Sequence, residues 1–353
     1  MSQGVTMPNA FCRLLDIAIP IAQAGMGGAT SPELVAAVSN AGGLGLIGLS
    51  VSYFDDLELA RQEVRRTRAL TPRPFGANII LEWEPSGRLD ICLDEGVRLI
   101  SFSFGDPAPY VTRIHDAGAL VSIMVGTPAE AKSAVDAGVD LIIAQGWEAG
   151  GHPAGQIATM ALVPAVVDAV GGQVPVLAAG GIADGRGLAA AIALGASGAY
   201  IGTRFLASRE AAIHPEYQQR ILTAGVADTV YTKVFNGGWD AAQRVLRNST
   251  YARWDAAGQP PDGLRPDEGE IVATSFRRGD IARYQCVVAG PECEGDIEAL
   301  PLWAGQGVGL AKELMTAGEI VDEIWKEAKD AQRRLSAAID GSNSSSPIDP
   351  ERN

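Results

Sequence analysis

The chain has 353 residues, 47% hydrophobic and 20% charged, enough to bury one large α/β core and a smaller one beside it. With 42 acidic against 28 basic residues its formal charge is −14, which argues against nucleic acid or an anionic membrane as partner but leaves room for a local phosphate site. No apolar run approaches the roughly 20 residues that span a bilayer, and residues 1–9 have no basic stretch followed by an apolar one, so neither a membrane anchor nor a signal peptide is expected.

The first 206 residues repeat one pattern, in which a helix ends at a small-residue–Gly pair and a short apolar strand follows. The first strand is read over 19–24. Ser31-Pro-Glu-Leu-Val-Ala then opens a helix, with Ser31 as N-cap and Pro32 at the first helical position. Asn40-Ala-Gly42 precedes a strand at 43–48. The basic run 61–68 reads as a solvated helix face with i,i+4 pairing. A strand at 75–80 follows. Asp94-Glu-Gly96 precedes 97–102, and Asp116-Ala-Gly118 precedes 119–124. Thr127-Pro-Ala-Glu130 starts a helix with a capping box. Asp136-Ala-Gly138 precedes 139–143, then comes 174–179, and Ala193-Leu-Gly195 precedes 199–202. Each pair puts glycine where a helix C-terminus needs a left-handed residue. The strands are continuous apolar runs, as a parallel sheet buried on both faces requires. Eight units predict a (β/α)₈ TIM barrel, with a doubly wound open sheet as the alternative.

After Arg204 the pattern changes. Residues 208–291 read as a smaller, mainly helical domain over the barrel mouth, with a loop at 258–270. An amphipathic helix over 309–335, broken near Gly318, returns to the barrel, which then comprises 1–207 and 292–335. The tail 336–353, rich in Ser, Asn and Pro from Gly341, is expected to be disordered. Cys12, Cys92, Cys286 and Cys293 have no CxxC spacing and no histidine at metal-ligand spacing, so reduced thiols in a cytoplasmic protein and no metal site are expected.

Barrels bind ligands at the carboxyl ends of their strands. The strand at 139–143 runs into Ala144-Gln-Gly-Trp-Glu-Ala-Gly-Gly-His-Pro-Ala-Gly155, a glycine-rich loop with one proton-transferring group, His152. A surface turn with a solvated histidine is the plain alternative. The other strand ends supply Gln23-Ala-Gly-Met-Gly-Gly28, Gly48, Asn78, Ser103-Phe-Gly105, Gly126-Thr127, Gly180-Gly181 and Gly202-Thr203. These are glycines and uncharged polar groups, with no carboxylate pair for glycoside hydrolysis, and they suit a flat, hydrogen-bonding cofactor. Strands seven and eight end in Ala178-Ala-Gly-Gly-Ile182 and Tyr200-Ile-Gly-Thr-Arg204, where barrels place a phosphate site.

Pro20-Ile-Ala-Gln-Ala-Gly-Met-Gly-Gly28, Gly76-Ala-Asn78, the loop to His152, Ala178-Ala-Gly-Gly-Ile-Ala-Asp184 and Ile201-Gly-Thr-Arg-Phe205 together resemble the nitronate monooxygenase family, once called 2-nitropropane dioxygenases. The similarity runs from Pro20 to Phe205 and resumes at Trp303-Ala-Gly-Gln-Gly-Val-Gly309. The resemblance implies non-covalent FMN in the barrel and a smaller substrate-side domain. Asn78 and Gln145 would hydrogen-bond the flavin ring, and Ala24, Gly25 and Met26 would pack against it. Gly150, Gly151, Gly180 and Gly181, with Tyr200, Ile201, Gly202 and Thr203, would hold the ribityl chain and phosphate. Gln306 would lie near the flavin, and His152 would be the catalytic base. The implied reaction is oxidation of an alkyl nitronate, or of the nitroalkane, by O2 to a carbonyl product and nitrite. Related barrels reduce enoyl thioesters or quinones with NAD(P)H, and that alternative stays open, as does flavin binding without turnover. IMP dehydrogenase-like barrels need a cysteine in the strand-six loop, which is absent here. The partners expected are a small molecule and O2, and a homo-oligomer is compatible with the sequence.

The remaining candidates have structural readings. His115 lies near a helix C-terminus and His214 at a helix start. Trp239, Trp254 and Trp303 read as packing, with a substrate pocket as the alternative. Glu148, four residues before His152, either orients the imidazole or faces solvent.

Overall fold

A computed structural model gives the structure of the chain and describes residues 9–49 and 56–341. The first helix, α1 (Ala10–Leu15), is capped by the Asn9 side chain, which accepts from the Cys12 N–H at 3.1 Å. Eight β/α units follow: β1 (Ile21–Gln23), α2 (Pro32–Asn40), β2 (Leu46–Gly48), α3 (Leu57–Leu70), β3 (Gly76–Ile80), α4 (Ser86–Asp94), β4 (Leu99–Ser103) and α5 (Ala108–Asp116). The second half runs β5 (Leu120–Val125), α6 (Pro128–Asp136), β6 (Leu141–Gln145), α7 (Thr159–Val170), β7 (Val176–Ala179), α8 (Gly185–Ala193), β8 (Gly198–Ile201) and α9 (Thr203–Leu206). The sheet order is β1-β8-β7-β6-β5-β4-β3-β2, all parallel, and a bridge between Ala22 and Leu44 closes it into the expected barrel.

The apolar runs work as the sequence requires. Alternate residues point inward, so Leu44, Leu46, Leu99, Leu141, Leu177 and Tyr200 share the barrel interior with Phe11, Cys12 and Leu15 of α1, which plugs the amino-terminal end. The intervening residues, such as Ile100, Val121 and Ile142, pack outward on the helices. Ser31 and Thr127 cap α2 and α6 as predicted, and Thr127 forms the capping box with Glu130. The helix-ending glycines adopt positive φ, with Gly42 at 95° and Gly195 at 97°. The arginines of α3 do not pair mainly along their own helix. Arg61 and Arg65 reach Glu95 after α4, and Arg66 reaches Glu33 of α2, because neighbouring helices bring those carboxylates closer.

Residues 208–291 differ from the mainly helical expectation. They hold α10 (Pro215–Thr223) and α11 (Ser249–Ala256), but also β9 (Thr229–Thr232), β10 (Gln243–Leu246), β11 (Ile271–Ser275) and β12 (Gly279–Ala282). β9 and β10 pair antiparallel, and β11 pairs with β12 and with β13 (Cys293–Gly295). The β-branched segments Thr-Val-Tyr-Thr and Ile-Val-Ala-Thr-Ser favour strand, in runs too short to show a period. The final helix also shifts. Gln306–Leu310 forms a 3₁₀ turn, and α12 (Ala317–Ile339) begins at a capping box between Thr316 and Glu319. Gly318 therefore lies in the first turn and does not break the helix. The helix runs into the segment expected as tail, and residues 342–353 lie outside the described residues. All four cysteines are free thiols. No helix among the described residues is long and apolar enough to cross a membrane.

Helix α12 returns across the barrel and packs on α8. Gly185 opens α8 where α12 crosses it, and its N–H donates to Glu327 Oε2 at 3.0 Å. A Cβ at Gly185 would collide with the backbone of Glu327 and Ala328. Gly185→Ala is expected to lower stability by about 1–3 kcal/mol through overpacking, read as a lower denaturant midpoint at unchanged m-value.

Candidate active site

A cavity of about 900 Å³ opens at the carboxyl end of the barrel, between the strand ends and residues 208–291. Its floor is glycine backbone and uncharged polar side chains. Gly25 N–H donates to the Tyr200 hydroxyl at 3.0 Å, and Ala24 N–H to the Ile201 carbonyl at 2.8 Å. A Cβ on Gly25 would lie 2.6 Å from the Asn78 Cβ, so only glycine lets this turn reach Asn78. Asn78, in the middle of β3, and Gln145, at the end of β6, are buried and face the cavity. The Asn78 amide donates to the Ser101 carbonyl at 3.2 Å, and Gln145 Oε1 accepts from Ala154 N–H at 2.6 Å. Burial pushes the Tyr200 phenol up to about 12, which keeps it neutral.

On the β7–β8 side, Gly180, Gly181, Gly202, Thr203, Gly305 and Gly307 line the cavity. Gly181 has φ 72°, and Thr203 Oγ1 accepts from Gly305 N–H at 2.9 Å, which joins the β8 end to the returning chain. Gly150 lies against the backbone of Ala304 and Gly305, where a Cβ would clash. Ala24, Met26 and Gly151 also reach the cavity. Two expected residues do not. The Ile201 side chain points outward among Leu34, Val38 and Phe205, so only its backbone serves the floor. Gln306 is exposed and outside the lining, because its N–H is tied to the Glu148 carbonyl at 2.9 Å and the 3₁₀ turn carries its side chain away.

His152 stands on the opposite wall. The loop bearing it is held from both sides: Gly151 and Arg244 of β10 exchange backbone hydrogen bonds at 3.2 and 2.7 Å, and the buried Arg244 guanidinium donates to the Trp147 carbonyl at 2.8 Å. Glu148 neither orients His152 nor points to solvent. Its carboxylate accepts from Thr159 N–H at 2.9 Å and Thr159 Oγ1 at 2.8 Å, which fixes the loop's exit into α7. The imidazole lies 3.9 Å, centroid to centroid, from the Trp239 indole and 6.1 Å from that of Trp303. Its Nε2 is 3.8 Å from the Cys286 Sγ. Burial pushes His152 down to about 3 and the Cys286 thiol up to about 11. Both groups are therefore neutral at neutral pH, and His152 has its base form available.

The tryptophans are the main surprise of the wall. Trp239 and Trp303 line the cavity, whereas Trp254 packs beside Tyr251 away from it. Trp83 and Phe104 also face the cavity and had no sequence signal beyond their places after β3 and β4. Phe104 has φ 55°, an unusual cost for a bulky residue that marks a position fixed by its surroundings. Cys286 reaches His152 from residues 208–291, which no motif announced. His115 pairs with Asp140 at 2.9 Å, and His214 caps α10 through Nδ1, so both are structural.

A family model for nitronate monooxygenase matches residues 9–86 and 84–327. The chain belongs to the nitronate monooxygenase family. It is accordingly a flavin oxidoreductase. It is 32% identical over 354 residues to a (3aS,4S,5R,7aS)-5-hydroxy-7a-methyl-1-oxo-octahydro-1H-indene-4-carboxyl-CoA dehydrogenase of Rhodococcus jostii, covering 94% of this chain and 98% of the relative. It is 32% identical to a nitronate monooxygenase of Paraburkholderia phytofirmans, with the same coverages of 94% and 98%. Among solved structures, FabK from Thermotoga maritima superposes with a TM-score of 0.80 at 36% identity, covering 94% of this chain and 100% of that one. The residues present fit the family's flavin: a glycine floor that admits close backbone approach, two buried amides for a ring, and a neutral phenol.

The protonation state of His152 is directly measurable. With burial as the cause, imidazole NMR signals should show His152 neutral from pH 8 to pH 5, assigned by their loss in His152→Asn, as its folded value is about 3. The sign for stability follows. The unfolded chain takes up this proton first, near the ordinary value of about 6.5. The contribution of His152 is thus complete above that pH and is lost as pH falls toward 3.

Proposed function

We propose that this protein is an FMN-dependent nitronate monooxygenase that oxidises alkyl nitronates with O2 to a carbonyl product and nitrite. One observation carries the reading: a neutral, half-buried imidazole faces, across one cavity, a glycine-and-amide floor suited to a flat anionic cofactor. Asn78 and Gln145 would orient the flavin ring, with Ala24, Gly25 and Met26 against its face. Gly180, Gly181, Gly202 and Thr203 would take the single phosphate, through backbone N–H groups and one hydroxyl. Bound FMN supplies the electron transfer from substrate toward oxygen.

The chain's own chemistry is proton transfer. For a neutral nitroalkane, His152 accepts the α-proton, the C–H electron pair passes into the nitro group, and the nitronate forms beside an imidazolium. Burial alone disfavours that imidazolium, and the adjacent nitronate charge offsets the penalty. Trp239 and Trp303 place apolar rings beside the imidazole, so the ion pair is worth more than it would be in bulk solvent. A second reading, dehydrogenation of a thioester-activated substrate by the same base, draws support from the capacity of the cavity and from the carboxyl-CoA dehydrogenase relative. Side-by-side assays decide: nitrite release from alkyl nitronates in air supports the first reading. With no nitrite released, flavin bleaching on anaerobic mixing with an acyl-CoA thioester supports the second, and bleaching with NADH favours a reductase instead.

Two variants test the parts. Gly181→Val places a branched side chain at φ 72°, where it fits poorly and intrudes on the phosphate position. It should lose FMN while far-UV circular dichroism stays that of a folded barrel, and unchanged FMN affinity would move the phosphate elsewhere. His152→Asn should keep FMN but slow turnover of neutral nitroalkane by about 10²–10⁴-fold. Pre-formed nitronate has already lost its proton and should suffer less. Equal losses on both forms would make His152 an orienting group and not a base.

A further inference from the structure

We infer that this site selects substrates with a bulky apolar body beside the acidic carbon, and that Trp239 is the residue that selects them. The inference rests on the proposed placement of substrate between His152 and the flavin floor. The first observation is capacity. A cavity of about 900 Å³ lies near the top of the roughly 300–1,000 Å³ that hold drug-sized ligands. It exceeds what a flavin and a two- or three-carbon nitronate would fill together.

The second observation is the wall next to the base. Trp239 lies against His152, the rings tilted by 38°, and the same indole meets Trp83 at 4.9 Å and Phe104 edge-on at 5.4 Å. Three separate chain segments converge to make this surface: the β3–α4 connection, the β4–α5 connection and the loop before β10. They form an apolar face that continues directly from the imidazole. Of the charged groups lining the same cavity, Glu84, Arg277 and Asp280 are exposed, Arg278 is half-buried and Arg88 is buried. An apolar body would sit against the aromatic face, with its polar atoms toward these charges.

The third observation is that the wall is fixed in place. The Trp239 indole N–H donates to Glu82 Oε2 at 2.8 Å, which ties the loop from residues 208–291 to the barrel. The loop backbone is pinned as well, with Gly237 N–H on the Tyr284 carbonyl at 3.0 Å and Cys286 N–H on the Gly237 carbonyl at 2.8 Å. A tethered indole presents area at low entropic cost, which makes it a selector and not merely a filler. The backbone segment that sets Trp239 also sets Cys286, 3.8 Å from His152, so the selecting wall and the base are registered to each other.

The experiment uses the FMN-loaded protein, Trp239→Ala and Trp239→Phe, with primary alkyl nitronates from ethyl to decyl. For the wild type, kcat/KM should rise roughly fourfold for each methylene that the wall buries. Trp239→Ala should flatten that rise across the series, whatever its effect on the absolute rate, and Trp239→Phe should restore most of the slope. A flat series in the wild type, or an unchanged slope in Trp239→Ala, overturns the inference. A parallel binding series keeps it separate from the proposed reaction. Alkyl carboxylates, planar anions like nitronates but inert, are titrated against the flavin absorbance. If no nitronate is turned over but carboxylate affinity rises with chain length and loses that rise in Trp239→Ala, the reaction falls and the selecting wall stands. If carboxylate affinity does not depend on Trp239, the wall falls whatever the reaction.

Discussion

Closing a parallel sheet into a barrel leaves one seam, and here it runs between β1 and β2. The ladder across it is short. Leu44 and Ala22 form the bridge, with Gln23 N–H on the Leu44 carbonyl and Leu44 N–H on the Ile21 carbonyl, each at 2.9 Å. The Gln23 side chain then replaces the next rung, its Oε1 accepting from Leu46 N–H at 3.1 Å. Above that point the strands part, and glycines fill the gap. A Cβ on Gly48 would lie 2.6 Å from Gly27 N, so the two loops touch backbone to backbone. That contact fixes the Ala24–Gly25–Met26 turn over Asn78, and with it half of the cavity floor. Across the barrel, the same need for close approach explains Gly150 against Gly305 and Gly180 against the Gly146 carbonyl.

The barrel was legible because most of its units state their own boundary. A helix that ends in a left-handed glycine, as at Gly42 or Gly138, leaves the following apolar run no choice but strand. Most strand starts were read one to three residues early, since residues after the glycine, such as Val97 and Val139, are apolar but precede the strand, whereas β8 begins one residue before its reading, at Gly198. Residues 208–291 were less legible for the opposite reason. Their strands are short and β-branched, and are held by pairing with distant segments such as Cys293–Gly295. Local periodicity carries no trace of such partners. Gln306 shows a further limit. The returning segment was placed at the cavity correctly, but a 3₁₀ turn decides which of its residues face inward, and Gly305 and Gly307 do so in place of the glutamine.

The site divides in the same way. Floor residues sit at strand ends, which the barrel rule locates from sequence. The wall around His152 comes from side chains far apart in the chain, Trp83, Phe104, Trp239, Cys286 and Trp303, which meet only after residues 208–291 fold across the mouth. Sequence singled out His152 but not its state. A histidine on a glycine-rich loop reads as half-solvated, near its ordinary titration range. The folded chain surrounds it with indoles and a neutral thiol, and burial drives it down to about 3.

That difference separates two tasks that one fold performs. In the proposed reading the barrel floor would meet constraints set by a flat cofactor, and the structure shows how little freedom it has: glycine where backbones touch, buried amides at Asn78 and Gln145. The wall, which would meet the substrate, is built from large side chains on loops, where exchange of one ring changes shape without disturbing the sheet. His152 lies where the two meet, its loop joined to the floor through Gln145 and to the wall through Arg244 and Trp239. A change of wall can therefore alter both what reaches His152 and how dry its imidazole is. One barrel floor is consistent with relatives named for a nitronate and for a carboxyl-CoA compound.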